Sequence, residues 1–332
     1  MRKVTLFLLL LIYSTIYSQN LRTLDKDIVD ENNNEIILRS AGLGGWMLQE
    51  PYMFNYSSGA NTQHEFKEKL NNLVGSENTE LFFESWLDNF VTEQDVDSIA
   101  SWGFNSIRLP MHYDLFTLSI QEEPVEGENT WLDRGFEIVD QLLDWCEQNE
   151  LYLILDLHAA PGGQGYDAAI SDYNSEFPSL WESVENQNKT IALWEQLAIR
   201  YKDEPWIGGY DLLNETNWDL ANFELRSFYV QVTNAIREHD SNHIIFIEGN
   251  WFANDFTGLI PPWDDNMAYS FHKYWSYNDT ESIQWVLDIR NQYNTPLWMG
   301  ESGENSNLWF TDAIRLFEDN EIGWAWWPWK KT

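Results

Sequence analysis

The sequence predicts a single (β/α)8 barrel, and three observations carry that prediction. Eight short apolar runs alternate with segments of helical period along the chain, the pattern of a parallel sheet joined by crossover helices. Residues able to do chemistry, among them Arg108, His158, Asn214, Glu215, Glu248, His272 and Glu301, stand at or just beyond the ends of those runs, where a barrel opens to solvent. No G-x-G-x-x-G opens a helix, and the PGGQG stretch lies inside a longer loop, so an open doubly wound sheet is the weaker alternative.

The elements follow in order. Glu35 to Leu38 is a short apolar segment running into AGLGGW, whose glycines predict a sharp bend after a first strand. Asn55 to Val91 is polar and aromatic with two weakly helical patches, and reads as a long first loop. Thr92 to Ser101 predicts a helix capped by Thr92 and stopped by Gly103. The second strand, Asn105 to Leu109, carries Arg108 and is closed by Pro110. Arg134 to Gln148 repeats apolar residues with helical period, and Leu151 to Leu157 is a strand ending in His158 before AAPGGQG. Ile191 to Tyr201 is helical, and the strand Ile207 to Leu213 delivers Asn214 and Glu215. A helix from Phe223 to His239 leads to the strand His243 to Ile247, which ends in Glu248. Met267 to Phe271 leads to His272 and Tyr274, the helix Glu281 to Tyr293 follows, and Pro296 to Met299 leads to Glu301. Asn307 to Phe317 is helical, and Gly323 to Trp327 is the eighth strand. The sequence ends at Thr332, before the helix expected after that strand, which leaves open a trimmed chain or a missing module.

Composition narrows the function. A chain of 332 residues with 43% hydrophobic content can bury a large core. The net charge of −35 argues against nucleic acid and against anionic membranes, since both would be repelled. Aromatics are in excess, with 19 Trp, 15 Tyr and 18 Phe. Their flat faces suit sugar rings, although large core filler is the plainer use. Met1 to about Gln19 has Arg2 and Lys3, an apolar run through Ile12, then small residues. That is the form of a secretory signal peptide and is too short to span a bilayer, so the mature catalytic domain is expected over residues 20–332, secreted to the periplasm or beyond. The single Cys146 allows no intrachain disulfide and reads as a small buried apolar residue. A monomer is expected, with no cofactor and no membrane insertion.

Glu215 and Glu301 stand after the fourth and seventh strands, across the mouth from each other in a barrel. Two facing carboxyls are what cleavage of a glycosidic bond needs, one to protonate the leaving oxygen and one to attack the anomeric carbon. Taken alone, Asn214 and Glu215 also fit a helix-capping pair, and His158 and His272 fit satisfied structural histidines. The H-x-x-x-H spacing of His239 and His243 falls on the opposite end of the barrel, so no metal site is expected there. Glu248 and Asp156 read as structural acids partnering arginine or backbone near the mouth.

In this order and spacing, SIRLP, LDLHAAPGGQ, LLNET, SFHKYW and WMGESG resemble glycoside hydrolase family 5, within the clan of barrel enzymes whose catalytic glutamates follow strands four and seven. The resemblance runs from AGLGGW to GWAWWPWK. It implies Glu215 as acid/base, Glu301 as nucleophile, Asn214 at the sugar 2-hydroxyl, and Arg108 beside Glu301 to hold it ionised. It further implies His158 and His272 lining the subsite that holds the sugar being cleaved, Tyr274 within reach of the nucleophile, and Trp327 as the floor. Thr216 departs from the family pattern, where proline usually follows the acid/base, which puts the subfamily in doubt more than catalysis. LGGWMLQEP followed by LHAAPGGQ is closer to the exo-β-1,3-glucanase and β-glucan hydrolase branch. There the glutamate at the place of Glu50 contacts the terminal sugar, and Trp46, Trp218, Trp275 and Trp327 are expected to form a stacking cleft for a β-glucan. A mannan-directed enzyme and a non-catalytic carbohydrate-binding protein are the alternatives.

Overall fold

The computed structural model describes residues 20–55 and 59–331; the expected signal peptide lies outside them. Eight parallel strands close into a barrel: β1 (Arg39–Gly42), β2 (Ser106–His112), β3 (Tyr152–Ala159), β4 (Ile207–Asp211), β5 (Ile244–Glu248), β6 (Met267–His272), β7 (Leu297–Gly303) and β8 (Gly323–Trp327). Each pairs with its neighbours in chain order, and β8 returns to β1 through Trp324 opposite Arg39. The sequence prediction of a (β/α)8 barrel therefore holds.

Buried strands with helices outside and side chains inside read as near-continuous apolar runs, which is why β3, β5 and β8 were legible. Two strand boundaries differ from expectation. The first strand is Arg39–Gly42 rather than the apolar Glu35–Leu38, because small residues are needed where β1 approaches β8: a Cβ on Gly42 would lie 3.2 Å from the Trp326 carbonyl oxygen. The second strand runs through Pro110 to His112 and stays fully buried, so the proline does not close it. An antiparallel hairpin, Arg22–Leu24 with Asp27–Val29, precedes the barrel. Thr23 bonds Asp265 and Asn266 just ahead of β6, which puts the hairpin at the end where strands begin.

The stretch expected to be a long loop after β1 instead contains two helices, Gln63–Val74 and Ser76–Asn89, ahead of the helix Glu93–Ser101. Thr62 caps the first by accepting from the Glu65 amide at 3.2 Å. Asp95 reaches back to the Thr92 amide at 2.8 Å to cap the third. Further helices are Asp133–Gln148, Val184–Tyr201, Asn222–Arg237, Thr280–Tyr293 and Asn307–Glu318. Between β5 and β6 only a short turn, Asn250–Ala253, is assigned, and Trp251, Phe252 and Ala253 all have positive φ there. Cys146 is fully buried, as expected of an apolar filler. No described helix is long and apolar enough to cross a membrane.

Candidate active site

The barrel interior near its C-terminal end is ionic rather than aliphatic. Arg108 on β2 is completely buried and its guanidinium is shared. Nε donates to Asp211 at 3.0 Å, Nη1 to Glu301 at 2.7 Å, and Nη2 to Asn214 at 2.9 Å and Glu248 at 3.0 Å. Asp156 lies 3.2 Å from Nη2. Arg108 thus reaches Glu301, but it is not dedicated to it, and Asp211 is a partner that the sequence reading missed. The available signal was a polar residue inside the apolar run of β4. Asp156 and Asp211 are register neighbours on β3 and β4, so both face the same fork, as acids partnering arginine.

Burial and the Glu248 charge push the Asp211 carboxyl well above the usual range, against the pull of Arg108. Burial acts on Glu248 too, but His272, Arg108 and the Glu215 amide hold it below its ordinary value. Of this pair, Asp211 therefore keeps the proton and Glu248 the charge.

β4 ends at Asp211, two residues earlier than expected, and the chain beyond it carries Glu215 to the cleft and Asn214 to the buried layer beneath. Glu215 sits at φ 40, an uncommon region for a side-chain-bearing residue. Its amide donates to Glu248 at 2.7 Å. Gln164, from the glycine-rich loop, donates to the carbonyls of both His158 and Asn214, tying β3 to β4. Gly300 lets β7 run close to β6, since a Cβ there would meet Ser270 Oγ at 2.2 Å. This approach brings Glu301 in beside His272.

Glu215 and Glu301 each present an oxygen within 4.8 Å of an oxygen of the other, with His272 in the same group. Glu301 accepts from Arg108 on one oxygen and from the Tyr274 hydroxyl, at 2.7 Å, on the other. His272 Nδ1 lies 2.6 Å from Glu215 and its Nε2 lies 3.2 Å from Glu248. Burial disfavours a charged His272, yet Glu248 and Glu215 raise it well above its ordinary pKa. His158 meets Asp156 at 2.7 Å through Nδ1 and Glu50 at 3.5 Å through Nε2. Burial opposes its charge, but Asp156 and then Glu50 carry it up to about 10. Burial pushes Glu50 up to about 7, with His158 pulling the other way. Glu215, His272 and Glu301 also have the spacing of a metal-binding group, but His272 faces carboxylates through both nitrogens, so it carries the cation itself.

A cleft of about 530 Å³ opens over this cluster. Of the expected residues it is lined by Glu50, His158, Glu215, His272, Tyr274, Trp275, Glu301 and Trp327. Trp327 stacks on His158 at 5.0 Å between ring centroids and donates to the Tyr52 hydroxyl at 2.9 Å. Its ring also packs on the turn after β1, where a Cβ on Gly44 would lie 2.5 Å from it. Asn214 and Arg108 lie beneath, bonded to the cluster. Two expected stacking residues are elsewhere. Trp46 is 1% exposed and donates to the Leu87 carbonyl. Trp218 is 8% exposed, its face covered by Tyr166 at 3.9 Å. Tyr52, Asp167, Phe252 and Glu304 line the cleft and were not anticipated; they sit on single turns and loops too short for periodicity to give a signal. His239 and His243 pair with Glu195 and Asp240, away from this cleft.

Two acids facing each other across the mouth of a barrel, each with its own donor set, define a glycoside hydrolase of the (β/α)8 type. Residues 60–332 match the family model described as cellulase, glycosyl hydrolase family 5, and the chain belongs to that family. A β-xylosidase of Phanerodontia chrysosporium is 39% identical over 249 residues, 74% of this chain and 50% of that protein. The chain thus spans half the length of that relative. Endoglucanase C of Acetivibrio thermocellus is 27% identical over 76% of this chain and 88% of its own. A probable glucan 1,3-β-glucosidase A of Aspergillus fumigatus is 24% identical, covering 82% and 63%. The endoglucanase Cel5A of Thermotoga maritima superposes with a TM-score of 0.58 at 20% identity, over 72% of this chain and 82% of that one, a likeness of fold.

Proposed function

We propose that this protein is a secreted, retaining β-glycosidase that cleaves β-glucosidic bonds of a β-glucan by double displacement. The observation that carries the reading is the approach of Glu215 and Glu301 to within 4.8 Å between oxygens. Carboxyls about 5 Å apart suit direct attack, whereas those ~6.5–9.5 Å apart leave room for a water. Glu301, with Arg108 and Tyr274 donating to it, is the nucleophile. Glu215, 2.6 Å from His272, protonates the leaving oxygen and then activates water. Asn214, held by Arg108, meets the sugar 2-hydroxyl, and Trp327 is the floor. Trp275, 70% exposed at the rim, stacks on a further sugar, and Glu50 bonds a terminal one.

Relatives named for endoglucanase and glucan 1,3-β-glucosidase activities support a glucan, β-1,3 or mixed in linkage. The β-xylosidase relative favours a second reading, a terminal xylosyl substrate at the same site. A product profile over laminarin, mixed-linkage glucan, cellulose, pustulan, xylo-oligosaccharides and mannan tests both. Release from a β-1,3 or mixed glucan is expected. Activity on xylosides or mannan alone would overturn the glucan assignment.

A further inference from the structure

Lys273, between His272 and Tyr274, is 6% exposed, and its ammonium is surrounded by uncharged acceptors. Nζ donates to Ser276 Oγ at 2.8 Å, to the Tyr277 carbonyl at 2.8 Å and to Asn278 Oδ1 at 2.9 Å. It also lies 5.2 Å from the centre of the Trp309 ring. An ammonium has three donors, and here they are spent on three consecutive residues of one loop. Burial draws the group down to about 8, only partly opposed by Asp279. Keeping a cation there is costly, so its place in the structure calls for a use.

The backbone of Lys273 supplies the other half of the arrangement. Its amide donates to the Glu301 carbonyl at 3.2 Å, and its carbonyl accepts from Ser302 Oγ. One residue is therefore stitched to β7 at Glu301 and at its neighbour. Trp309 clamps the loop from outside, its Nε1 donating to the Ser276 carbonyl and its own carbonyl accepting from Asn278, both at 2.9 Å. Tyr274 lies between these fixed points. Its carbonyl accepts from the Ser276 amide at 2.6 Å, and its hydroxyl reaches Glu301 at 2.7 Å.

We propose that Lys273 is a positioning residue: by gathering residues 276–278 under Trp309, it holds the Tyr274 phenol on the Glu301 carboxylate and the Trp275 ring at the cleft rim. The proposal rests on the reading of Glu301 as nucleophile. Lys273 touches no substrate and acts only through its neighbours.

A double-mutant cycle tests it, using Lys273→Met, Tyr274→Phe and the double variant on an aryl β-glycoside, with folding checked by circular dichroism. Lys273→Met is expected to lower kcat/KM by about ten- to a hundredfold, the scale of an ångström-sized misplacement. An aryl β-glycoside has no further sugar for Trp275 to stack on, so the double variant should be no slower than Tyr274→Phe alone, because residues acting as one unit are not additive. If Lys273→Met fails to fold, Asn278→Ala takes its place in the same cycle, with the same expectation. Losses that multiply independently, or a Lys273→Met enzyme with the kcat/KM of the unaltered protein, would overturn the proposal. Glu301→Ala separates the two ideas. If it stays active, the assignment of the nucleophile fails. If it is inactive while the Lys273 and Tyr274 losses multiply, only the positioning role of Lys273 fails.

Discussion

Replacing Arg108 by lysine keeps the charge and removes the fork. Four acceptors, on Asp211, Glu301, Asn214 and Glu248, are reached from three separate guanidinium nitrogens at 2.7–3.0 Å. A lysine ammonium concentrates its donors on one nitrogen, so at least two of these bonds are lost. At about 1.5–3 kcal/mol per hydrogen bond to a charged group, Arg108→Lys should cost about 3–5 kcal/mol, the range for breaking a buried ion pair. Urea unfolding at pH 7 reads this as a lower midpoint with unchanged slope. The penalty should also shrink on acidification. Losing the guanidinium's hydrogen bonds raises the folded-state pKa of Asp211 and Glu248, both of which Arg108 pulls down. An acid with a raised folded pKa favours the folded state at low pH and loses that contribution as pH rises. The gap between variant and parent should therefore be smaller near pH 5 than near pH 7. A loss under about 1 kcal/mol, or one independent of pH, would refute the view that the Arg108 fork, beyond its charge, holds these carboxyls.

Further outcomes are expected elsewhere in the site. Trp275→Ala should raise KM for a glucan oligosaccharide about fivefold, the equivalent of ~1 kcal/mol of stacking, while leaving urea stability unchanged. Trp218→Ala should instead cost about 3–5 kcal/mol of stability as a buried aromatic, and a Trp218 effect confined to KM would contradict its placement. Glu50, pushed up to about 7 by burial, changes charge near neutrality, so KM for the terminal sugar should vary across that pH; Glu50→Gln should flatten the variation, and an unaltered profile would remove Glu50 from the site. His158 is raised from 6.5 to about 10, so its contribution to stability is full below pH 6.5 and lost as pH climbs to 10. Urea midpoints should fall across that window, and less steeply in His158→Gln.

The alternation of buried strands and helices was legible because strands covered on both faces are apolar throughout. The helices Gln63–Val74 and Ser76–Asn89 were not, because they bury little: only Gln63 on the first and Thr79 and Leu87 on the second are buried, while Leu73 and Leu81 face solvent. With so short an apolar stripe the period is faint, and the two helices showed only as weakly helical patches within an expected loop. Missing those helices also hid the fate of Trp46, whose indole bonds Leu87 on one of them. Strand-end position in sequence places a tryptophan near the mouth, but the turn that follows decides whether it enters the cleft, as Trp327 does, or packs behind it, as Trp218 does. The carboxyl pair was legible because barrel topology sets the ends of β4 and β7 facing each other across the mouth, whereas its donors Arg108 and Tyr274 were legible only through the resemblance to the family. The pairing of Glu248 and Asp156 with arginine was legible in part, but the place of Asp211 on the same fork was not, since it depends on which strand residues point inward at the same level.

The configuration of the first product tests the central claim most directly. Proton NMR of the newly released sugar, followed before mutarotation, separates direct attack by Glu301 from attack by water. Double displacement across carboxyls about 5 Å apart predicts that the β-anomer appears first and the α-anomer grows in later. An α-anomer formed first would mean inversion by a single displacement, and would contradict Glu301 as the nucleophile.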